Sequence, residues 1–192
     1  MVFCGSGGIL MNVMQRPILK LSGLLLLYLG GSIFLLNICS FQMCAALLIC
    51  GIGAVVLLGT SLRENLPKED IVGKTRTNLL FRGALAVMTG ILSFTASDSI
   101  YYWLPVRKTV LFTVLWIAMM CIFSLSLDDE IPFRCIYLQA VCLAFTVTYI
   151  YMESSILVFA FFAVINLFMA FGGSVLSMGK TAAPPEQSGN ES

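Results

Sequence analysis

Long apolar stretches, each about as long as a membrane-spanning helix, follow one another along most of this chain. A helix needs roughly 20 mostly apolar residues to cross a hydrocarbon layer that is about 30 Å thick. The pattern therefore predicts an all-α integral membrane protein, a six-helix transmembrane bundle built as three hairpins. The six predicted spans are 18–38, 43–62, 79–104, 109–127, 131–152 and 154–178.

The break between the fifth and sixth stretches is short, since it consists of Glu153 and two serines and contains neither glycine nor proline. One continuous helix over 131–178 would overshoot any bilayer, so we expect a tight hairpin at this point. The predicted domains are a spanning domain 18–178, an N-terminal segment 1–17, a loop 63–78 within the spanning domain, and a polar, disordered tail 179–192.

Composition agrees with a membrane protein, because 59% of the 192 residues are hydrophobic and only 11% are charged. Soluble domains carry roughly 25% charged residues. The net charge of +1 provides no basic stripe for phosphates, so we expect no nucleic-acid partner. The chain has no histidine, which removes the usual haem and zinc ligand, and its seven cysteines form no C-x-x-C pair. We therefore expect no haem, no zinc or other metal site, and no cofactor.

Lysine and arginine near the span ends indicate an orientation. Nine of them fall on one side of the predicted bundle, and only Arg107 and Lys108 fall on the other. Since positive charge accumulates on the cytoplasmic side, both termini and the loop 63–78 are expected there. The second and fourth spans are short enough for a thin bilayer, which favours the endoplasmic reticulum over the plasma membrane.

Small residues recur at steps of three and four in two predicted spans, which places them on one face of each helix. Such faces let neighbouring helices approach closely, so helix packing is the expected role, and a substrate path lined by small residues is the alternative. These residues are Gly83, Ala86, Gly90 and Ser93 in the third span, and Ala163, Ala170 and Gly173 in the sixth.

Two amides are expected near the middle of the bilayer. Gln139 and Asn166 lie at nearly equal distances on either side of Glu153, so a hairpin there brings them to similar depth. Each amide can supply the other's hydrogen-bond partner, and such a bond contributes about 0.6–2 kcal/mol in a membrane. A structural contact is the first interpretation, and coordination of a ligand or ion is the alternative.

Asp98 is the carboxylate within a predicted span, about two turns from its outer end. An ionisable group inside a membrane is a functional candidate by default. The simpler interpretation is that Asp98 reaches the headgroups or pairs with Arg107. If it is sequestered, Asp98 and Glu153, which is expected on the same side, are candidates for a catalytic acid and base.

Two further pairs carry weaker expectations. Lys20 and Arg82 enter their spans near the cytoplasmic ends, so we expect their side chains to snorkel toward the headgroups. Cys39 and Cys44 flank the short turn after the first span, and the sequence leaves open whether they are oxidised.

Three functions remain open from the sequence. The first is a non-catalytic accessory, assembly or scaffolding subunit, with the lipid bilayer and another membrane protein as partners. The second is a carrier or channel for a small solute or ion, with a polar route near Asp98, Gln139 and Asn166. The third is a membrane-embedded enzyme that uses Asp98 and Glu153 on a lipid-like substrate, so enzymatic activity is left undecided.

Overall fold

The computed structural model describes residues 2–14, 16–65, 75–104, 106–128, 131–153 and 155–179. Within these ranges the fold is all-helical, with seven helices and no strand. The predicted loop is described only at its two ends, and the predicted tail only at Gly179. The helices are α1 (Val2–Val13), α2 (Pro17–Leu35), α3 (Phe41–Asn65), α4 (Thr75–Ile100), α5 (Lys108–Leu127), α6 (Ile131–Met152) and α7 (Ile156–Gly179).

Six of these helices, α2 to α7, are long and apolar enough to cross a membrane, which confirms the six predicted spans. The break predicted between the fifth and sixth spans is also confirmed, because α6 ends at Met152 and α7 begins at Ile156. The amide of Glu153 still donates to the carbonyl of Tyr149, at 2.9 Å, so α6 closes its last turn immediately before the chain reverses. The chain is therefore an integral multi-pass membrane protein.

The two ends of the bundle are named here by their carboxylates. At the Asp128 end, α2, α4 and α6 begin and α5 ends, and Lys20, Arg82, Asp128 and Tyr137 are in contact there. The Asp98 end is the opposite one. α2 and α6 are the most buried spans, whereas α4 lies at the edge and packs mainly against α5 and α1.

Helix α1 falls within the segment 1–17, where no helix was predicted. Its 12 residues extend roughly 18 Å, too short to cross about 30 Å of hydrocarbon. It nevertheless packs beside the middle of α5, because a Cβ at Gly5 would lie 3.7 Å from Trp116 and one at Gly8 would lie 3.2 Å from Ile117. α1 is therefore a half-length helix inserted among the spans from the Asp128 end.

The contact between α1 and α2 depends on glycine at two positions, Gly23 in α2 and Gly7 in α1. A Cβ at Gly23 would lie 2.8 Å from the carbonyl oxygen of Gly7 and 2.8 Å from the amide nitrogen of Met11. Both obstacles are backbone atoms, which cannot move aside as a flexible side chain can. Glycine is required here because the two backbones approach more closely than any side chain permits.

We predict that Gly23→Ala destabilises the protein by about 1–3 kcal/mol, the usual effect of overpacking, because the new methyl group forces α1 away from α2. Gly83→Ala is the matched control, since a Cβ at Gly83 meets no described atom within 4 Å. The measurement is the thermal unfolding midpoint of each variant in the same detergent. Equal midpoints for the two variants would show that α1 does not pack against α2 in this way.

Candidate functional site

Four polar side chains from different parts of the chain meet at the Asp128 end, and we call them the Asp128 cluster: Lys20, Arg82, Asp128 and Tyr137. The Lys20 ammonium donates to Oδ2 of Asp128 at 2.6 Å, and the Tyr137 hydroxyl donates to the same oxygen at 2.5 Å. Nη2 of Arg82 donates to the other carboxylate oxygen, Oδ1. The single carboxylate therefore binds groups from α2, α4 and α6.

The cluster extends to α1 through Arg82 and Asn12. Nη1 of Arg82 donates to the backbone carbonyl of Asn12 at 3.1 Å and to the Tyr137 hydroxyl at 3.2 Å. The side-chain oxygen of Asn12 in turn accepts from the hydroxyl of Ser124 in α5, at 2.6 Å. Hydrogen bonds at this end thus connect five helices: α1, α2, α4, α5 and α6.

The expectation that Lys20 and Arg82 snorkel to the headgroups is wrong. Lys20 is 1% exposed and Arg82 is 5% exposed, and both form ion pairs with Asp128. The Lys20 ammonium also lies 3.9 Å from the centre of the Phe133 ring, a cation–π distance. Snorkelling is favourable only when a cation has no buried partner, and here Asp128 provides one.

The electrostatics of the cluster keep Asp128 ionised. Burial alone would raise the pKa of its carboxyl group, because desolvation disfavours the charged form. The Lys20 ammonium, together with hydrogen bonds from Arg82, Lys20 and Tyr137, outweighs burial and holds the pKa of Asp128 below its ordinary value of 3.8. A carboxylate with this many donors is suited to holding helices together and poorly suited to accepting a proton from a substrate.

Sequence reasoning missed Asp128 as the partner of these cations. It treated Lys20 and Arg82 as snorkelling cations and assigned a buried partner to neither. A signal was present, since the predicted topology places all three residues at the same end of the bundle. Tyr137, one turn and a half into α6, carried no separate signal because a buried tyrosine most often only packs.

A second polar set, which we call the amide network, lies between α2, α6 and α7: Tyr28, Gln139, Thr146 and Asn166. Nε2 of Gln139 donates to the Tyr28 hydroxyl at 2.7 Å and to the backbone carbonyl of Asn166 at 3.0 Å. The Tyr28 hydroxyl donates to Oδ1 of Asn166 at 2.9 Å. Nδ2 of Asn166 donates to the Thr146 hydroxyl, also at 2.9 Å.

The structure therefore brings Gln139 and Asn166 together, and it adds two hydroxyl groups that sequence reasoning did not include. Both amide side chains are 1% exposed. Oδ1 of Asn166 accepts a hydrogen bond and Nδ2 of Asn166 donates two, all within the protein. Oε1 of Gln139, in contrast, has no partner among the described residues. The arrangement is that of a packing contact between helices, with one unsatisfied amide oxygen.

Asp98 lies elsewhere and is partly exposed. It forms an ion pair with Lys108 across the short turn between α4 and α5, with 48% of its side chain exposed, so its partner is Lys108 rather than the expected Arg107. Glu153 lies exposed in the turn between α6 and α7. In the described part of the chain α4 packs along neither α6 nor α7, and its hydrogen bond to α6, from Arg82 to Tyr137, lies at the opposite end from Asp98. The structure therefore does not join Asp98 to Glu153, or to Gln139 and Asn166.

The small residues of α4 and α7 take different positions. Ala86, Ser93, Ala170 and Gly173 are buried, and a Cβ at Gly173 would lie 2.9 Å from the Cβ of Cys135 in α6. On α4, the indole nitrogen of Trp116 donates to the carbonyl of Ala86 at 2.9 Å, and a Cβ at Gly90 would lie 3.4 Å from the same nitrogen. Gly83 makes no such close approach, and Ala163 is partly buried against the core.

Cysteines and other potential ligands form no larger site in the described part of the chain. Cys39 and Cys44 are both free thiols in the structure. Among the residues that the structure describes, no three cysteine, aspartate or glutamate side chains lie close enough together to hold a metal ion.

Comparisons with family models, with curated protein sequences and with solved structures find no match for this chain.

We predict that Asp128→Asn destabilises the protein by about 3–5 kcal/mol, because it leaves two buried cations without their counter-charge. Asp98→Asn is the control, since it removes an equal charge from an exposed pair, and such pairs contribute at most about 1 kcal/mol. Unfolding of both variants is followed in mixed micelles of increasing denaturing detergent. Similar losses in the two variants would contradict the structural role of the Asp128 cluster.

The stabilising effect of Asp128 is also expected to depend on pH. Since its folded-state pKa lies below the ordinary value of 3.8, the contribution is fully present above pH 3.8 and is lost as pH falls through the folded-state value. The measurement is the difference in unfolding free energy between the wild type and Asp128→Asn. A difference that disappears between pH 7 and pH 5 would require a raised pKa and would contradict the cluster as described.

Proposed function

We propose that this chain is a non-catalytic accessory or assembly subunit of a membrane complex, with another membrane protein as its partner. One observation carries the proposal: the two buried polar sets inside the bundle bond mainly to themselves. Asp128 accepts from Lys20, Arg82 and Tyr137, and Gln139 donates to Tyr28 and Asn166. Groups used in this way stabilise the fold and are not positioned to act on a substrate.

The other two functions receive less support from the geometry. A polar route through the bundle would need Asp98 near Gln139 and Asn166, and an acid–base pair would need Asp98 near Glu153. Asp98 belongs to α4, which packs along α5 and α1, and the contact of α4 with α6 is made by Arg82 at the opposite end from Asp98.

The surface through which a partner would bind is apolar. The small-residue faces of α4 and α7 are largely used within the chain, so we propose the outer face of α7 instead. Its residues follow one another in alternating steps of four and three, as in a helix–helix seam, and are 59–78% exposed. This α7 face consists of Leu157, Phe161, Val164, Phe168 and Phe171.

The proposed orientation follows the distribution of positive charge. The Asp128 end is proposed to face the cytoplasm, because nine of the 11 lysines and arginines lie on that side of the six spans. The proposed location is the endoplasmic reticulum, on the basis of span length.

The proposal predicts that the tagged protein, purified in a mild detergent, recovers one membrane protein in stoichiometric amount. Phe168→Ala on the α7 face is expected to reduce that recovery by a factor of about 5–30, since an aromatic anchor contributes about 1–2 kcal/mol. The measurement is the ratio of partner to tagged chain by quantitative mass spectrometry.

Phe81→Ala is the matched control, because Phe81 is 54% exposed on α4, away from α7. It is expected to leave the recovery of the partner unchanged. A homogeneous particle that contains this chain alone would overturn the accessory function. Equal losses for Phe81→Ala and Phe168→Ala would overturn the assignment of the α7 face.

A further inference from the structure

The short turn between α2 and α3, at the Asp98 end of the bundle, has a cysteine on each side: Cys39 and Cys44. The backbone amide of Cys39 donates to the carbonyl of Leu35 at 2.8 Å, so Cys39 lies in the closing turn of α2. The carbonyl of Ser40 accepts from the amide of Cys44 at 3.3 Å, which is the opening hydrogen bond of α3. Ser40 is therefore the residue that caps the start of α3.

This backbone arrangement places the two cysteines side by side. Cys39 immediately precedes the cap residue, and Cys44 is the fourth residue after it. Side chains at these two positions commonly pack against each other and fix the angle at which the chain enters the helix. Both contact the same apolar core, since Cys44 belongs to it and Cys39 packs against it. The two thiols also interact electrostatically.

Two thiols in this arrangement can do what two hydrocarbon side chains cannot, because oxidation can join them. A disulfide requires Cβ atoms about 4 Å apart, a distance that only neighbouring side chains reach. Cys39 is partly exposed at the end of the bundle, so an oxidant in water can reach its sulfur, whereas Cys44 is 4% exposed. The pair thus combines one accessible thiol with one buried thiol held beside it.

The compartment at the Asp98 end decides whether such a pair is oxidised. Disulfides persist in the lumen of the endoplasmic reticulum and outside the cell, and they are rare in the cytosol. In the orientation proposed above, the Asp128 end faces the cytoplasm. The turn between α2 and α3 then lies on the opposite side of the membrane, where thiols are exposed to oxidants.

We propose that Cys39 and Cys44 are a modification site, oxidised to a disulfide that locks the turn between α2 and α3, and this assignment rests on the orientation proposed above. The thiolate of Cys39 attacks a disulfide oxidant, either oxidised glutathione or a protein disulfide, and one half of the oxidant leaves as a thiolate. The thiolate of Cys44 then attacks the sulfur of Cys39 and displaces the other half. The two cysteines lose two electrons and two protons, which the oxidant gains as two thiols.

The disulfide would hold the hairpin that supports the amide network. Tyr28 of α2 packs directly on Gly51 of α3, where a Cβ would lie 2.6 Å from Cδ1 of Tyr28. The hydroxyl of Tyr28 belongs to the amide network, so the position of α2 against α3 matters for that network. The contact at Gly51 fixes the middle of the hairpin, and the disulfide would fix its end.

The disulfide is tested by counting alkylated cysteines with mass spectrometry of the intact, denatured protein. The chain has seven cysteines and a disulfide protects two of them, so the wild type is expected to take five maleimide adducts before reduction and seven after it. Two samples are measured. One is protein alkylated at the moment of cell lysis, and the other is purified protein exposed to oxidised glutathione in detergent.

Two serine variants identify the cysteines that are joined. Cys39→Ser leaves Cys44 without its partner, so the six remaining cysteines are expected to take six adducts both before and after reduction. Cys50→Ser is the matched control, because it removes a thiol further along the same helix. It is expected to retain the disulfide and to take four adducts before reduction and six after it.

Seven adducts on the unreduced wild type in both samples would overturn the disulfide, and so would a glutathione that remains attached to Cys39. A loss of two adducts that persists in Cys39→Ser would assign the oxidation to other cysteines and would also overturn it. Five adducts on the purified protein but seven at cell lysis would support the pairing of the two thiols and overturn the proposed orientation. Recovery of a partner protein tests the accessory function separately.

Discussion

The carboxylate of Asp128 is the counter-charge on which two buried cations depend. Hydrocarbon offers no hydrogen bonds and little screening, so Lys20 and Arg82 can remain inside the bundle only if the protein supplies an anion and acceptors in the correct place. Their three attachment points lie on α2, on α4 and just after α5, so the pairing fixes the depth of these helices relative to one another. Desolvation of the charges offsets much of their attraction, so the net contribution of the intact cluster to stability is much smaller than the cost of removing one partner.

Helix α1 depends on the same cluster. It is too short to cross the bilayer, so its position requires both the close contact at Gly23 and the hydrogen bond from Arg82 to the carbonyl of Asn12. That carbonyl belongs to the last turn of α1, where helix carbonyls have no partner within the helix. At its other end, α1 contributes Cys4 to the wall of a small apolar cavity, of about 40 Å³, between α1, α2, α5 and α6. The ion pairs at the Asp128 end are thus connected, through one half-length helix, to the shape of a cavity deep within the bundle.

The parts of this structure that could be predicted from the sequence are those set by local composition. Six spans follow from the length of the apolar stretches, and the proximity of Gln139 to Asn166 follows from their symmetric positions around Glu153. α1 was missed because its sequence is short and glycine-rich, and glycine disfavours an isolated helix although it permits close helix packing. The burial of Lys20 and Arg82 was missed because snorkelling can be predicted from the position of one residue in its own span. Burial depends on a partner elsewhere, which for Lys20 lies more than a hundred residues away in the sequence.

The two central helices separate a hydrogen-bonded side of the bundle from an apolar cavity. In α2, Tyr28 faces the amide network while Gly31 faces the cavity, and in α6, Gln139 faces the network while Ala144 faces the cavity. The hydrogen bonds hold these helices at a fixed spacing from α7, and the small residues beside them, Gly31 in α2 and Ala144 in α6, leave a space that the helices cannot close by moving inward. An empty apolar cavity is destabilising in proportion to its volume, so this one, at about 40 Å³, costs only about 1 kcal/mol.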